Sequence, residues 1–331
     1  MTPRTLSRRS VVTGLLAAPA VAFLAACGDG NSTASTTTTG STGTTGSTGS
    51  TGSTDSTTAD SSTDTTATTA ATVSTGAWAS GGTDLITVDY PDDSIFASAA
   101  TCAVALTSAT TEGPCYFQSD TGEDISLGKT GLPMQLCAQL VDTDCNPLEG
   151  YTIEAWHCDT RGVYSGDTSD SDDPDRFAGD FCTAGDAEAE QSTWFRGQLT
   201  TDASGRVNFA TVFPGWYSGR TIHIHFAVSD PDGTSRVISQ WGFAEDFTTE
   251  ICTTHDQYAD RGTQDTPITS DNVFPSEGYE DFLLTTQQNS DGTLLGYGVI
   301  QIDPTVVATE AAGGAPGGQG GGPGGAPPSR P

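Results

Sequence analysis

From Gly28 to about Gly82 the chain is almost wholly Ser, Thr, Gly, Ala and Asp, and Trp78 is its one aromatic residue. Such a stretch buries too little apolar surface to offset the entropy of ordering it, so residues 28–82 read as a flexible tether. Residues 308–331 are Gly/Pro-rich and read as a disordered tail. Whatever folds lies in residues 83–307, about 225 residues, enough for one domain with a substantial core.

Residues 1–27 read as an export signal. Arg4, Arg8 and Arg9 make a basic start, an apolar run follows from Val11 to Leu24, and Leu24-Ala25-Ala26-Cys27 closes it. The run is too short and broken to span a membrane. Arg8-Arg9 after Ser7 suggests twin-arginine export, and Leu-Ala-Ala-Cys resembles a bacterial lipobox that would leave Cys27 acylated. On this reading the protein is exported and held to the outer face of the cell membrane by lipidated Cys27, or released. The other reading is an ordinary secretory peptide with an incidental cysteine.

The balance of 42 acidic to 12 basic residues, with Lys129 the only lysine, argues against a nucleic-acid partner. A strongly acidic chain reads as a solvated surface, and a cation inside a motif, such as Arg220, stands out against it. Eight cysteines suit an oxidising compartment. With Cys27 lipidated, seven remain, so at least one is free or pairs outside the chain. Cys145 with Cys158 is the favoured bridge, although spacing alone does not settle connectivity.

The folded region reads as all-β. Pro133–Val141 alternates apolar and polar residues, and Asp142–Pro147 supplies a turn. Tyr151–Trp156, Thr221–Val228, Arg236–Trp241 and Leu295–Ile302 are further strands, and 198–201 with 207–210 looks like a hairpin around the Asp202–Gly205 turn. Short helices are expected near Ile95–Ala100 and Glu277–Leu284. Several short strands divided by turns point to an antiparallel β-sandwich with long loops.

The chemistry-bearing segment is Phe213-Pro214-Gly215-Trp216-Tyr217-Ser218-Gly219-Arg220-Thr221-Ile222-His223-Ile224-His225-Phe226. Alternate residues of a strand share a face, so His223 and His225 point the same way and make half of a metal site, or simply share a polar face. Tyr217 sits on a Pro-Gly turn just before the strand, and Tyr164 enters a loop after the strand that ends in Trp156. Each tyrosine alone reads more readily as a core or rim residue than as a ligand. His157 reads as a structural histidine and His255 as a surface one. Asp159 orients either a loop or a ligand, and the Asp-rich stretch Asp167–Asp175 reads as a solvated loop rather than a Ca2+ site.

Thr111-Glu112-Gly113-Pro114-Cys115-Tyr116, Trp156-His157-Cys158-Asp159 through Tyr164, and Pro214-Gly215-Trp216-Tyr217 through His225 together resemble the intradiol ring-cleavage dioxygenase family. That family includes catechol 1,2-, hydroxyquinol 1,2- and protocatechuate 3,4-dioxygenases, and the likeness runs from about Ala99 to Ile302. The resemblance implies a β-sandwich holding one non-haem Fe(III) through Tyr164, Tyr217, His223 and His225. It implies a catalytic role for Tyr217, for Arg220, three residues before His223, and for Gln240, matched by spacing, and a substrate-pocket role for Arg220 and Gln240. Tyr116 matches the second aromatic of a usual Gly-Pro-Tyr-Tyr and would touch a substrate hydroxyl, while Cys115 replaces the first. Glu123-Asp124 stands where many relatives carry a basic residue. The implied reaction opens a catechol between its two hydroxyl-bearing carbons with O2 to a muconate-type diacid.

Phenolate is a hard anionic donor suited to Fe(III), and an always-charged guanidinium can stabilise negative charge developing on a ring. Zn(II) or Cu(II) would also take the histidines but would not need two tyrosines. Two other functions fit the fold: an iron-free surface binding module, and a metal-binding protein without redox work. The expected partners are a small catecholic substrate and O2, with a homo-oligomer compatible with the sequence.

Overall fold

The computed structural model describes residues 76–118, 122–171 and 174–309. The export signal, Cys27, most of the tether and nearly all of the tail lie outside the described residues. Among the described residues, eight strands form two four-stranded sheets. One sheet contains β1 (Pro133–Val141), β4 (Arg206–Val212), β7 (Thr285–Gln288) and β8 (Leu294–Gln301) in the order β4-β1-β8-β7. The other contains β2 (Thr152–Trp156), β3 (Arg196–Thr200), β5 (His223–Ser229) and β6 (Ser235–Gly242) in the order β3-β2-β5-β6. Every pairing is antiparallel except that of β1 with β8, which is parallel.

Two-residue alternation decides which side chains meet between the sheets. On β5, Ile224, Phe226 and Val228 enter the main core together with Met134, Leu136, Ala138 and Leu140 of β1. Each of these side chains except the small Ala138 contributes about 1.5–3 kcal/mol through burial. The other face of β1 is covered as well: Phe96 and Ala99 lie against Cys137, Val141 and Leu295. Those two residues come from a 3-10 turn (Asp93–Phe96) and α1 (Ala97–Ala100), the short helical segment expected near residue 95.

The sequence reading needs correction in several places. The expected hairpin does not form, because β3 and β4 lie in opposite sheets. The Asp202–Gly205 turn is present, with Gly205 N donating to Asp202 O, but it carries the chain across the sandwich. Thr200 pairs with Thr152 and Arg206 with Gln139, so each strand finds a partner already buried in its own sheet. The longest helix among the described residues, α2 (Glu245–Thr254), buries Ile251 and Cys252 in the core. Its run of β-branched threonines masks the helical period.

The folded region also begins before residue 83. Trp78 packs edge-on to Phe247, its Nε1 donates to Glu250, and Gly81 exchanges backbone hydrogen bonds with Gly131. His255 is buried rather than on the surface, with Nε2 3.0 Å from Ala79 O.

Cys145 pairs with Cys102, not with Cys158, and a second disulfide joins Cys115 to Cys182. Cys145 precedes β2 and Cys158 follows it. A strand rises about 3.3 Å per residue, so the two cysteines are held far beyond disulfide reach. Cys158 is a buried free thiol that donates to Gly215 O, and Cys137 and Cys252 are also free and buried. The disulfides close separations of 43 and 67 residues. Reduction is expected to cost about 2–4 kcal/mol for each bond, readable as a lower Tm in reductant.

Candidate metal centre

The outer face of the β3-β2-β5-β6 sheet, away from the core, carries the site. Arg196 pairs with Trp156, Trp156 with His225, and His225 with Gln240, so these four side chains form one row across the four strands. His223 lies two residues along β5 on the same face, as the pleat predicts. The indole of Trp156 stacks on the His225 ring at 4.9 Å.

His223 Nδ1 lies 2.7 Å from Thr221 O, an acceptor only, so Nδ1 carries the proton and Nε2 presents a bare lone pair. Four groups crowd that lone pair: His225 Nε2 at 3.1 Å, Tyr217 Oη at 3.3 Å, Arg220 Nη1 at 3.3 Å and Tyr164 Oη at 3.4 Å. The structure therefore brings together all four proposed ligands with Arg220. Burial, reinforced by Arg220, lowers the His223 pKa to about 3, and burial with the charge of His223 lowers that of His225. Both imidazoles are neutral at pH 7 and can act as ligands.

Two loops deliver the phenols, and two glycines let those loops touch. Gly162 has φ +82°, and a Cβ there would lie 2.1 Å from Trp216 O; a Cβ on Gly215 would lie 2.3 Å from Thr160 O. Gly215 N donates to Asp159 O, which joins the Tyr164 loop to the Tyr217 turn. Asp159 proves to orient a loop, accepting from Arg161 N and Val163 N at 2.8 and 3.0 Å. Gly162→Ala is expected to destabilise the protein by about 1–3 kcal/mol through overpacking at a left-handed position. It should also weaken metal uptake by separating the two phenols, measurable by thermal unfolding and metal titration.

Arg220 is held from three sides. Nε donates to Asp271 at 2.9 Å, Nη2 to Gln240 Oε1 at 2.6 Å, and Nη1 lies 3.5 Å from Tyr217 Oη. Gln240 Nε2 in turn donates to Thr111 O at 2.8 Å. Asp271 also accepts from Thr221 N; burial works against its charge, but Arg220 and that N–H outweigh it and hold its carboxyl below the usual range. No sequence motif marks Asp271 beforehand. Tyr116 is not among the converging donors: its ring packs on Trp156 at 4.9 Å and its hydroxyl donates to Glu154 at 3.0 Å. Cys115 is fixed to Cys182, whose carbonyl accepts from Tyr164 N. His157 is structural, bridging Cys158 O and Thr211 Oγ1.

Burial raises the pKa of Tyr164 well above its ordinary value, and burial raises that of Tyr217 although Arg220 opposes it. Without a cation at their oxygens both phenols are therefore neutral at pH 7. No group of three His, Cys, Asp or Glu among the described residues is arranged to hold a metal ion, so a metal here would draw on the phenols. One lone pair cannot satisfy every donor around it. A hard trivalent cation would take the imidazole lone pairs and two phenolates together, so the donor set fits Fe(III).

A family model described as Dioxygenase matches residues 111–266, a span that holds the two histidines, Tyr116, Tyr164, Tyr217, Arg220 and Gln240. Catechol 1,2-dioxygenase 1 of Acinetobacter lwoffii is 25% identical over 164 residues, covering 42% of this chain and 47% of that protein. Hydroxyquinol 1,2-dioxygenase of Corynebacterium glutamicum is 28% identical over 132 residues, covering 38% and 42%. The chain thus spans less than half the length of these curated relatives. A solved intradiol ring-cleavage dioxygenase from Tetranychus urticae superposes with a TM-score of 0.52 at 25% identity, covering 63% of this chain and 98% of that one.

Proposed function

The chain belongs to the intradiol ring-cleavage dioxygenase family, and from that premise we propose that it cleaves a small catechol between its two hydroxyl-bearing carbons with O2. The observation that carries this reading is the convergence of two phenols and two neutral imidazoles on one point beside an ion-paired guanidinium. Tyr164, Tyr217, His223 and His225 would hold one Fe(III) per chain. Bound there, the metal would supply a Lewis acid that ionises the catechol hydroxyls and activates the ring towards O2.

The residues of the chain divide the remaining work. Tyr164 is buried and Tyr217 partly exposed, so Tyr217 is the phenol a substrate can reach, and as a metal-held phenolate its Oη would be placed to take up a proton from a substrate hydroxyl. Arg220 keeps its charge beside Tyr217 and stabilises negative charge developing on the ring. Gln240 acts on the substrate through Arg220, to which its amide oxygen is committed. Tyr116 belongs on the substrate side through its ring, since Glu154 engages its hydroxyl.

The test is O2 consumption and diacid formation by Fe(III)-reconstituted protein with catechol. Coupled uptake and product formation are expected. Metal binding without uptake would favour a metal-binding protein without redox work, and failure to bind iron would favour a binding module. We read residues 1–27 as placing this enzyme outside the cell membrane through lipidated Cys27. Cys27→Ser is then expected to move the protein from the membrane fraction to the soluble fraction.

A further inference from the structure

Arg196 opens β3 at the end of the row that continues through Trp156 and His225 to Gln240. It is 5% exposed, yet no carboxylate among the described residues forms an ion pair with it. Nε donates to Ser165 Oγ at 3.0 Å and Nη2 to Ser165 O at 2.8 Å, while buried Nη1 has no hydrogen-bond partner. The guanidinium lies 3.9 Å from the centre of the Phe117 ring and 5.8 Å from that of Tyr164. Glu154, on the same sheet face, also acts on it, but accepts its hydrogen bond from Tyr116.

An unpaired buried cation costs several kcal/mol, whereas a hydrophobic side chain would pack between Phe117 and Tyr164 without that cost. The cost becomes intelligible if a buried anion appears beside the guanidinium in the working state. Arg220 cannot be the counterpart for such an anion alone, because Asp271 already neutralises it at 2.9 Å. Tyr164 is the neighbour that acquires negative charge on binding a metal, and its own chain neighbour Ser165 is what Arg196 grips.

We propose that Arg196 is a positioning and charge-balancing residue for Tyr164: its fork holds Ser165 next to Tyr164, and its charge lies beside the Tyr164 ring, which would become negative on holding a metal. This rests on the Fe(III) reading above. Arg220 Nη1 lies 3.5 Å from Tyr217 Oη and its charge also acts on Tyr164, while the Arg196 guanidinium lies 5.8 Å from the centre of the Tyr164 ring, so Arg196 adds a second cation beside that phenol.

The experiment compares wild type, Arg196→Gln and Arg196→Lys, reading Fe(III) affinity and the tyrosinate-to-Fe(III) absorption band without substrate. Arg196→Gln is expected to weaken Fe(III) binding about 10–100-fold, the range typical of groups that support a metal ligand. The band should also move to longer wavelength, because a less stabilised phenolate gives up an electron more easily. Arg196→Lys keeps the charge and loses the fork, so its band should stay at the wild-type position while affinity falls less. Wild-type affinity and an unshifted band in Arg196→Gln would overturn the inference. So would an Arg196→Lys band displaced from wild type, a result that stands even where Arg196→Gln does not fold. A wild-type protein that takes up Fe(III) with no tyrosinate band would instead overturn the metal reading on which this inference depends.

Discussion

His223→Ala is expected to abolish ring cleavage and to weaken Fe(III) binding by more than about 100-fold, beyond the range typical of changes to supporting groups. The reason is geometric. His223 Nε2 is the point on which His225, Tyr164, Tyr217 and Arg220 converge, so its loss removes a ligand and the centre of the arrangement together. The metal-free protein should lose stability too, because Thr221 O loses its donor and the buried hydroxyl of Tyr164 loses its acceptor. Each unsatisfied buried group costs about 1–3 kcal/mol. Iron titration followed by O2 uptake checks both parts. A variant that still binds iron tightly and turns over would mean that the metal sits elsewhere.

Arg220→Met is expected to lower kcat by about 100- to 1,000-fold, the range for removing one preorganised donor to developing charge. It should also destabilise the protein by about 3–5 kcal/mol, because it strands a buried carboxylate. Asp271 has a side chain of 0% exposure and is left with the Thr221 amide as its remaining partner at Oδ2. The two effects are separable: the double variant Arg220→Met with Asp271→Asn should recover most of the stability and none of the turnover. Arg220→Lys should rescue poorly, since an ammonium cannot reach Asp271, Gln240 and Tyr217 at once as the guanidinium does. Thermal unfolding and steady-state kinetics on the three proteins make the comparison. Recovery of turnover in the double variant would remove Arg220 from the reaction.

How much of this was legible beforehand depended on whether the information was local. The pleat alone puts His223 and His225 on one face and Ile224 and Phe226 on the other, because a strand repeats every two residues. Tyr164 and Tyr217 carry no such period. The family resemblance named them, and the loop contact at Gly162 and Gly215 brings them together. Asp271 and Arg196 were not identified: one lies in an irregular loop beyond the motif, and the other reads as an ordinary strand arginine until its pairing with Trp156 is known.

Long-range choices escaped in the same way. Nothing near Asp202 says that the chain there leaves one sheet for the other, or that β1 will take β8 as a parallel neighbour. Sequence proximity favours Cys158 as the partner of Cys145 and hides the strand between them, whereas Cys102 is brought in by the helical segment covering the outer face of β1. The polar edge strand Thr285-Thr286-Gln287-Gln288 shows no apolar alternation and is defined by its pairing with β8.

The central claim is that two tyrosines and two histidines hold an Fe(III) which a catechol then chelates. The visible absorption spectrum of iron-loaded protein, before and after anaerobic addition of catechol, tests it most directly. A tyrosinate-to-Fe(III) band that shifts on adding catechol is the predicted result. A protein that stays colourless after reconstitution with Fe(III) would contradict it.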